Sequence, residues 1–224
     1  MHIPDGFLDL TLTAVMFIIA AIIWIPSFYK ANKNISERSI PLMAVLTAGV
    51  FAAQMLNFPI IGGTSGHLIG ATLISVFLGP FPAVVSVTII LLIQGLIFGD
   101  GGLTALGANS FNMAMVAVFT GFFIYSTLRR YIPGDKGIIA GVFAGSWLSV
   151  IAAALACGLE IGLSSIFPYG VEVTVPAMLF WHTIIAFGEA VISSAVVALV
   201  LKTSREIIPA VKGFNVIAEQ PVLS

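Results

Sequence analysis

The sequence has little charge, a single cysteine and no loop for nucleotide phosphates, and each shortage excludes a class of function. Charged residues make up 8% of the 224 positions and hydrophobic residues 59%, with a mean hydropathy of +1.11, so the chain is not a soluble globular domain. Cys157 cannot form an intramolecular disulfide or a cysteine-based metal site alone. No Gly-x-x-x-x-Gly-Lys-Ser/Thr segment is present, and a net charge of −1 gives no sign of nucleic-acid binding. We therefore expect a multi-pass protein of the cell membrane, surrounded by lipid.

The apolar segments predict seven transmembrane helices, because one crossing needs roughly 20 apolar residues. The predicted crossings are residues 9–29, 40–57, 66–79, 82–98, 105–127, 137–159 and 175–201. The third is too short for a full span, and we expect it to begin inside the bundle, after the turn at Gly62 and Gly63. The sequence thus predicts an all-α bundle that forms a single domain over residues 1–224.

Basic residues lie only in segments that follow the first, fifth and seventh predicted helices. They are Lys30, Lys33 and Arg38, then Arg129, Arg130 and Lys136, then Lys202, Arg205 and Lys212. With seven alternating helices they all lie on one side, which the positive-inside rule makes cytoplasmic. The amino terminus is then extracytoplasmic, as are loops 57–66, 99–105 and 160–175. No Lys or Arg precedes the first apolar run, so we expect an uncleaved amino terminus.

The first residues, Met1-His2-Ile3-Pro4-Asp5-Gly6, have the pattern of a metal chelate. A histidine at the second position allows the free α-amine, the His2 amide nitrogen and His2 Nδ1 to reach one ion in a common plane. A fourth donor must come from elsewhere in the chain. Four nitrogens in a square suit Ni(II) or Cu(II) better than tetrahedral Zn(II). We expect Met1 to be retained, because the bulky His2 behind it disfavours removal by aminopeptidase.

The fourth donor is sought among the two other histidines, His67 and His182. His67 follows the glycine-rich segment Gly62–Gly66, and the predicted topology places it on the same outer side as His2. At the N-terminus of the predicted third helix, His67 would also resist becoming imidazolium. His182 is predicted near the outer end of the last helix. We interpret it as a packing histidine or as one that supports the ligands.

Other polar residues near these histidines are candidates to support a metal site. Asp100, Asn109 and Asn112 lie around the predicted start of the fifth helix, where such side chains cap a helix or orient an imidazole, and capping is the favoured role. Asp5 is expected to bond within its own loop. The residues that could support the ligands are thus Ser65, Asp100, Asn109 and His182.

Two features lie within the apolar helices themselves. Glu189, deep in the last helix, is either a residue of metal transit or coupling, or the acceptor of an interhelical hydrogen bond from Gln54, Gln94 or a serine. The sixth helix carries small residues at successive i, i+4 positions, which predicts close packing against another helix of the same chain or, less favoured, a partner. They are Gly137, Gly141, Gly145, Ser149, Ala153 and Cys157.

Three segments resemble the nickel/cobalt substrate-binding membrane component of energy-coupling-factor transporters. They are Met1–Leu8, Gly62–Leu68 and Gly99–Asn109, and the resemblance covers most of the chain. It implies that the metal is held by the Met1 amine, the amide nitrogen and imidazole of His2, and the imidazole of His67. The pair Pro4-Asp5 is closer to the nickel branch of the family than to the cobalt branch, where Met-Glu is expected.

The resemblance implies a transport function and several partners. The chain would be a specificity component, with residues 1–8 as its metal-binding loop, that captures Ni²⁺, or alternatively Co²⁺ for cobalamin synthesis. Its partners would be a transmembrane coupling subunit, ATPase subunits and a small accessory membrane protein. An intramembrane metalloenzyme using His67 and Glu189 is disfavoured because four nitrogens leave no position for an activated water. An ion channel is disfavoured because the helices are too uniformly apolar to line a path.

Overall fold

Seven helices run through the part of the chain that the computed structural model describes, residues 1–208. They are α1 (Leu10–Asn34), α2 (Ile40–Gln54), α3 (Ala71–Leu78), α4 (Pro80–Phe98), α5 (Leu106–Tyr131), α6 (Gly134–Leu163) and α7 (Val171–Thr203). The side chains of Asn34 and Arg38 are outside this description. Lys212, one of the basic residues used to predict the topology, also lies outside the described residues.

Five of the helices, α1 and α4 to α7, are long and apolar enough to cross a membrane. The other two are shorter, with 15 residues in α2 and 8 in α3. The prediction of a helical multi-pass membrane protein is therefore confirmed, and the expectation that the third helix is too short to span is confirmed with it. The full length predicted for the second crossing is wrong, because α2 ends at Gln54.

The third helix begins later in the sequence than predicted. The helix α3 begins at Ala71, directly after Gly70, which has φ +70°. This left-handed conformation suits glycine and changes the direction of the chain, so the helix does not extend to earlier residues. The residues before it form a short antiparallel pair of strands, β1 (Phe58–Pro59) and β2 (Ser65–Gly66). His67 therefore lies on a non-helical segment between β2 and α3, and its predicted position at a helix N-terminus is wrong.

Small residues bring α6 and α5 into close contact. A Cβ atom at Gly145 would come within 2.7 Å of the Gly121 carbonyl oxygen, and one at Gly141 within 2.9 Å of the Tyr125 carbonyl oxygen. No larger side chain fits there without moving backbone. The prediction that the small residues of α6 pack within the chain is confirmed. The neighbour of Gly141 and Gly145 is α5, whereas Ser149 Oγ lies 3.0 Å from Thr72 Oγ1 of α3.

The first residues of the chain enter the bundle. Met1 and Ile3 are fully buried and His2 is 2% exposed, whereas Asp5 and Gly6 are exposed. Asp9 then caps α1 by accepting a hydrogen bond from the Leu12 amide at 3.0 Å. Residues 1–9 thus form a non-helical segment, here called the N-terminal strand although it is not part of the sheet formed by β1 and β2, and its buried end meets the loops 55–70 and 99–105.

Candidate metal centre

Ser65 contacts both backbone nitrogens of the expected chelate. The Met1 amine donates to the Ser65 carbonyl oxygen and, at 3.0 Å, to Ser65 Oγ. The His2 amide donates to the same Oγ at 3.0 Å. Burial lowers the pKa of the Met1 amine to about 5, although Cys157 and Asp100 act in the opposite direction. The amine is therefore neutral at pH 7 and has a lone pair to offer.

Asn109 anchors the next residue of the N-terminal strand. Its Oδ1 accepts from the Ile3 amide at 2.8 Å, and its Nδ2 donates to the Ile3 carbonyl oxygen at 3.0 Å. The Gly102 amide donates to the same carbonyl oxygen at 2.8 Å. Helix capping by Asn109 was predicted and is wrong, because both ends of its amide are used on Ile3. Gly102 must be small, since a Cβ there would overlap the backbone nitrogen of Asp5.

Asp5 fastens the exposed end of the buried segment to loop 99–105. Its Oδ1 accepts from the Thr104 amide at 2.8 Å and from the Thr104 hydroxyl at 2.5 Å. These hydrogen bonds lower the pKa of Asp5, so it is a carboxylate at neutral pH. The expected bond within its own loop is replaced by a bond between two loops.

The His2 imidazole lies between two acceptors. Its Nε2 is 2.9 Å from Gln94 Oε1, and its Nδ1 is 3.1 Å from Asp100 Oδ1. Burial lowers the pKa of His2, and Asp100 opposes that shift. Asn57 donates to the other oxygen of Asp100 at 2.7 Å, which fixes the carboxylate beside the ring. The structure therefore places Asp100 where it can orient the imidazole, and its favoured role as a helix cap is wrong.

Partial burial alone would raise the pKa of Asp100. The neighbouring His2 and the hydrogen bond from Asn57 outweigh that effect and lower the pKa below its usual value. A negative charge thus lies against the ring that is expected to bind a cation.

His67 lies directly against His2. The two rings are stacked, with centroids 4.3 Å apart and planes 17° apart. Nδ1 of His67 donates to the Leu68 carbonyl oxygen at 2.7 Å, so the neutral ring carries its proton there. Its Nε2 is buried and has no hydrogen-bond partner among residues 1–208. Burial, then the Met1 amine and His2, keep the pKa of His67 well below its usual value.

His182 resembles His67 in one respect. Its Nδ1 is 2.8 Å from the Met178 carbonyl oxygen one helical turn earlier, and its buried Nε2 also has no partner in the described part of the chain. It is close enough to contribute to the low pKa of His67. The structure thus brings all three histidines to one end of the bundle, as predicted, while the assignment of that end to the outer side stays a prediction.

Glu189 contacts the backbone behind His67. Its carboxylate accepts from the Ile69 amide at 2.5 Å and from the Gly70 amide at 3.0 Å, and Gln54 donates to the Ile69 carbonyl oxygen at 2.7 Å. None of the side chains predicted to pair with Glu189 does so. The carboxylate holds the non-helical segment that carries His67, which favours its structural role over a role in coupling.

A second buried carboxyl group was misplaced by the sequence analysis. Glu160 was assigned to an external loop, but α6 continues to Leu163 and Glu160 is only 7% exposed. It accepts a hydrogen bond from Asn112 Nδ2 at 2.7 Å, so Asn112 is not a helix cap. The sulfur of Cys157, one turn earlier on α6, lies 3.7 Å from the Met1 carbonyl oxygen.

The sequence analysis missed Gln94 as part of the site. It is fully buried and begins a π-helical turn, Gln94–Phe98, at the end of α4. A lone amide near the end of an apolar segment was the available signal, and π-helical turns occur frequently at functional sites. A second such turn, Ser110–Val116, follows Asn109 in α5.

Side chains alone do not form a metal site here. Over residues 1–208, no three His, Cys, Asp or Glu side chains come together in a way that could hold a metal ion. Two of the nitrogens that come together here, the Met1 amine and the His2 amide, belong to the backbone, and the others belong to the rings of His2 and His67. A cation at this point would therefore need main-chain nitrogen ligands, which is what the pattern of the first two residues predicts.

The fold and these buried nitrogens define a multi-pass membrane protein with a candidate metal site at one end of its helical bundle. The chain belongs to the family described as the cobalt uptake substrate-specific transmembrane region, whose model matches residues 2–207. The family resemblance stated from the sequence is thereby confirmed.

The relatives of this chain include proteins named for nickel transport and for cobalt transport. A putative fused nickel transport protein of Archaeoglobus fulgidus is 39% identical over 208 residues, which cover 93% of this chain and 68% of that protein. A putative cobalt transport protein of Methanocorpusculum labreanum is 35% identical over 170 residues, covering 75% and 72%. A crystal structure of a transition metal transporter has a TM-score of 0.87 and 40% identity, covering 92% of this chain and 94% of that one.

Proposed function

We propose that this chain is the substrate-binding membrane component of an ATP-driven, energy-coupling-factor transporter for Ni²⁺. The relative from Archaeoglobus fulgidus is named as a nickel transport protein, which supports nickel as the substrate. The ligands are the Met1 amine, the His2 amide nitrogen and Nδ1, and His67 Nε2. Such a site takes a metal that forms a square of four nitrogens.

The observation that carries this proposal is the unpaired Nε2 of His67. A buried polar atom without a partner costs roughly 1–3 kcal/mol, so it persists where function needs it. Its tautomer is already set by the bond from Nδ1 to the Leu68 carbonyl oxygen, at 2.7 Å. The lone pair on Nε2 is thus available, and the His2 ring lies directly beside it.

Binding the ion requires a rearrangement of the two rings. Nearly parallel rings, 17° apart, direct their in-plane lone pairs along separate planes, so Nδ1 of His2 and Nε2 of His67 do not point at one ion. One ring must turn, and the His2 amide must release its proton and its bond to Ser65 Oγ. Capture therefore combines a preformed set of nitrogens with a local movement at the end of the bundle.

The proposed orientation and partners follow from the sequence. The basic residues lie in or after the last turns of α1, α5 and α7, or at the start of α6 directly after α5, which supports an extracytoplasmic amino terminus and metal capture from outside. No P-loop is present in the chain, so concentrative uptake would need other subunits. The family resemblance implies that these are a transmembrane coupling subunit, ATPase subunits and a small accessory membrane subunit.

Cobalt is the second candidate substrate. The family description and the relative from Methanocorpusculum labreanum both name cobalt, which supports Co²⁺ as an alternative at the same site. A metalloenzyme with Glu189 as a base has weaker support. The Glu189 carboxylate is committed to the Ile69 and Gly70 amides, and so is not free to activate a water molecule.

Metal titration of the purified, tag-free protein tests the proposal. We expect one Ni²⁺ per chain, tighter binding of Ni²⁺ than of Co²⁺, and an absorption band of a square-planar nitrogen complex. Zn²⁺ is the matched control ion, because its tetrahedral preference does not suit four coplanar donors. Binding of Zn²⁺ in preference to Ni²⁺, or a spectrum typical of octahedral nickel, would contradict the proposed ligands.

A further inference from the structure

One local structure brings two hydrogen-bond acceptors to the two nitrogens of the same ring. The π-helical turn runs from Gln94 to Phe98, and the next residue, Gly99, turns the chain back with a φ of +64°. The Asp100 amide then donates to the Gln94 carbonyl oxygen at 3.0 Å. As a result, the Gln94 side chain meets Nε2 of His2 and the Asp100 side chain meets Nδ1.

The two neighbours compete for one proton. A neutral imidazole has a single N–H, which lies on either Nδ1 or Nε2. Asp100 favours the proton on Nδ1, because a carboxylate only accepts. Gln94, with Oε1 2.9 Å from the ring, favours it on Nε2. Nδ1 makes no aligned hydrogen bond to Asp100 although the atoms are 3.1 Å apart, whereas the contact to Gln94 meets the geometry of a hydrogen bond.

We propose that Gln94 is a positioning residue that selects the Nε2–H tautomer of His2 and so reserves Nδ1 as a metal donor. This inference rests on the proposed function, since it concerns the ligand that His2 supplies. Metal-binding histidines commonly donate their second N–H to an acceptor that fixes the tautomer and the ring orientation. Gln94 is fully buried, so water does not compete for that bond.

Asp100 has the complementary effect in this arrangement. Its carboxylate lies on the side of the ring where the cation arrives, and Asn57 fixes it there. Without Gln94, the carboxylate would draw the ring proton to Nδ1, and the metal would first have to move that proton to Nε2. Loss of Gln94 should thus weaken binding through the tautomer, without loss of any ligand.

Nitrogen NMR of the metal-free protein tests the tautomer directly. The chain has only three histidines, so a variant carrying His67→Gln and His182→Gln leaves the signals of His2 alone. In full-length protein labelled with ¹⁵N-histidine, we expect the shift pattern of an Nε2–H imidazole for His2. A pattern of Nδ1–H in the protein with Gln94 intact would overturn the inference.

Variants of Gln94 test its role: the ¹⁵N pattern of His2 is read in the background of His67→Gln and His182→Gln, and the Ni²⁺ affinity is measured in an otherwise unchanged chain. Gln94→Leu keeps the size but removes the acceptor, so the His2 pattern should change to Nδ1–H and the Ni²⁺ affinity should fall by about 10–100-fold. Gln94→Glu keeps an acceptor and should retain the Nε2–H pattern. Ser86→Ala is the control for a change on the same helix, because Ser86 is buried with no partner among the described residues.

The outcomes separate this inference from the proposed function. If the unmodified protein fails to bind Ni²⁺, the proposed function fails, while the tautomer of His2 is still measured without metal. If Gln94→Leu binds Ni²⁺ normally with an unchanged ¹⁵N pattern, the role of Gln94 is refuted and the metal site stands. If Gln94→Leu does not fold, Gln94→Asn replaces it, because the shorter side chain cannot reach the ring. The same two measurements, the ¹⁵N pattern of His2 and the Ni²⁺ affinity, then test the role of Gln94.

Discussion

The N-terminal strand and the interface between α5 and α6 are held in place by different forces. The strand is fixed by directional hydrogen bonds from side chains on other segments, chiefly Ser65, Asn109 and Thr104. The helix interface has close backbone contact, with Gly145 against Gly121. Each hydrogen bond contributes about 0.5–1.5 kcal/mol, so the strand can detach in small steps. The helices can separate only by losing their packing as a unit.

This difference suggests which region moves when metal is captured and released. Binding must change the contacts of the Met1 amine and the His2 amide, both of which donate to Ser65 in the present structure. It need not change any contact between α5 and α6. We therefore expect variants of the strand to alter metal affinity with little effect on unfolding, and variants of the interface to do the reverse.

The largest effect is expected from adding one residue before Met1. The amine would become an amide, which is a poorer ligand, and the buried contact with Ser65 leaves no room for extra backbone. Ni²⁺ binding measured by calorimetry should be abolished, with the thermal unfolding of the bundle unchanged. Proteolytic removal of the added residue should restore binding. Full affinity in the extended protein would exclude the amine as a ligand.

The next largest effect is expected from His67→Ala. It removes a proposed ligand, whereas His182→Ala removes a neighbour whose loss should cost at most the 10–100-fold typical of residues that support ligands. The comparison is decisive because both rings present a buried, unpaired Nε2 in the described structure. Equilibrium dialysis with Ni²⁺ measures the affinity of each variant. A greater loss in His182→Ala would assign the fourth ligand to His182.

Proton release should show whether the strand is docked before the metal arrives. In the docked state the Met1 amine has a pKa of about 5, and the pKa values of both His2 and His67 are lowered, so these donors are already neutral at pH 7. Only the His2 amide then loses a proton, and affinity should rise about tenfold per pH unit between roughly pH 6.5 and 7.5.

A steeper pH dependence would mean that the strand is detached before the metal arrives. A detached Met1 amine would have an ordinary pKa near 8, so it would bind a proton that the metal must displace as well. The slope would approach two protons per ion in the same range. Because the docked amine has the lower pKa, docking itself should weaken as the pH falls from about 8 towards about 5. Proton release measured by calorimetry in buffers of different ionisation enthalpy distinguishes these cases.

Much of this arrangement was predictable from sequence, because it depends on local patterns. The apolar runs predicted the helices, and the pattern at Met1 and His2 with the glycines before His67 predicted which nitrogens come together. Their role as metal ligands stays a prediction. The lengths of α2 and α3 were less predictable, because an apolar run does not show where a non-helical segment, such as residues 65–70, interrupts it.

The partners of the buried polar side chains were mostly mispredicted. Asn109 and Asn112 have the local pattern of helix caps, yet they bond to Ile3 and Glu160, which are far away in the sequence. Glu189 bonds to backbone and not to the side chains proposed for it. A hydrogen bond across the bundle depends on the packing of several helices, and local propensity carries no information about that packing.

Gly145→Leu should give the effect expected of the helix interface. The added side chain meets the Gly121 carbonyl oxygen, and such overpacking costs about 1–3 kcal/mol of stability. We expect a lower midpoint in thermal unfolding, with Ni²⁺ affinity unchanged in the folded fraction. Gly188→Ala is the control, because a Cβ at Gly188 has no neighbour within 4 Å. A loss of affinity in folded Gly145→Leu would show that the interface takes part in binding.

The smallest effect is expected at the exposed end of the docked strand, where Asp5 meets Thr104. Both bonds are accepted by Asp5 Oδ1, and both residues are exposed, so water weakens their contribution. Asp5→Ala should cost about 1 kcal/mol of docking, or roughly fivefold in Ni²⁺ affinity. Thr104→Val removes only the hydroxyl donor and should cost less. In the double variant the two losses should not add, because they share one contact. Additive losses, or a fall in unfolding temperature at constant affinity, would mean that Asp5 stabilises the bundle and does not hold the strand over its metal.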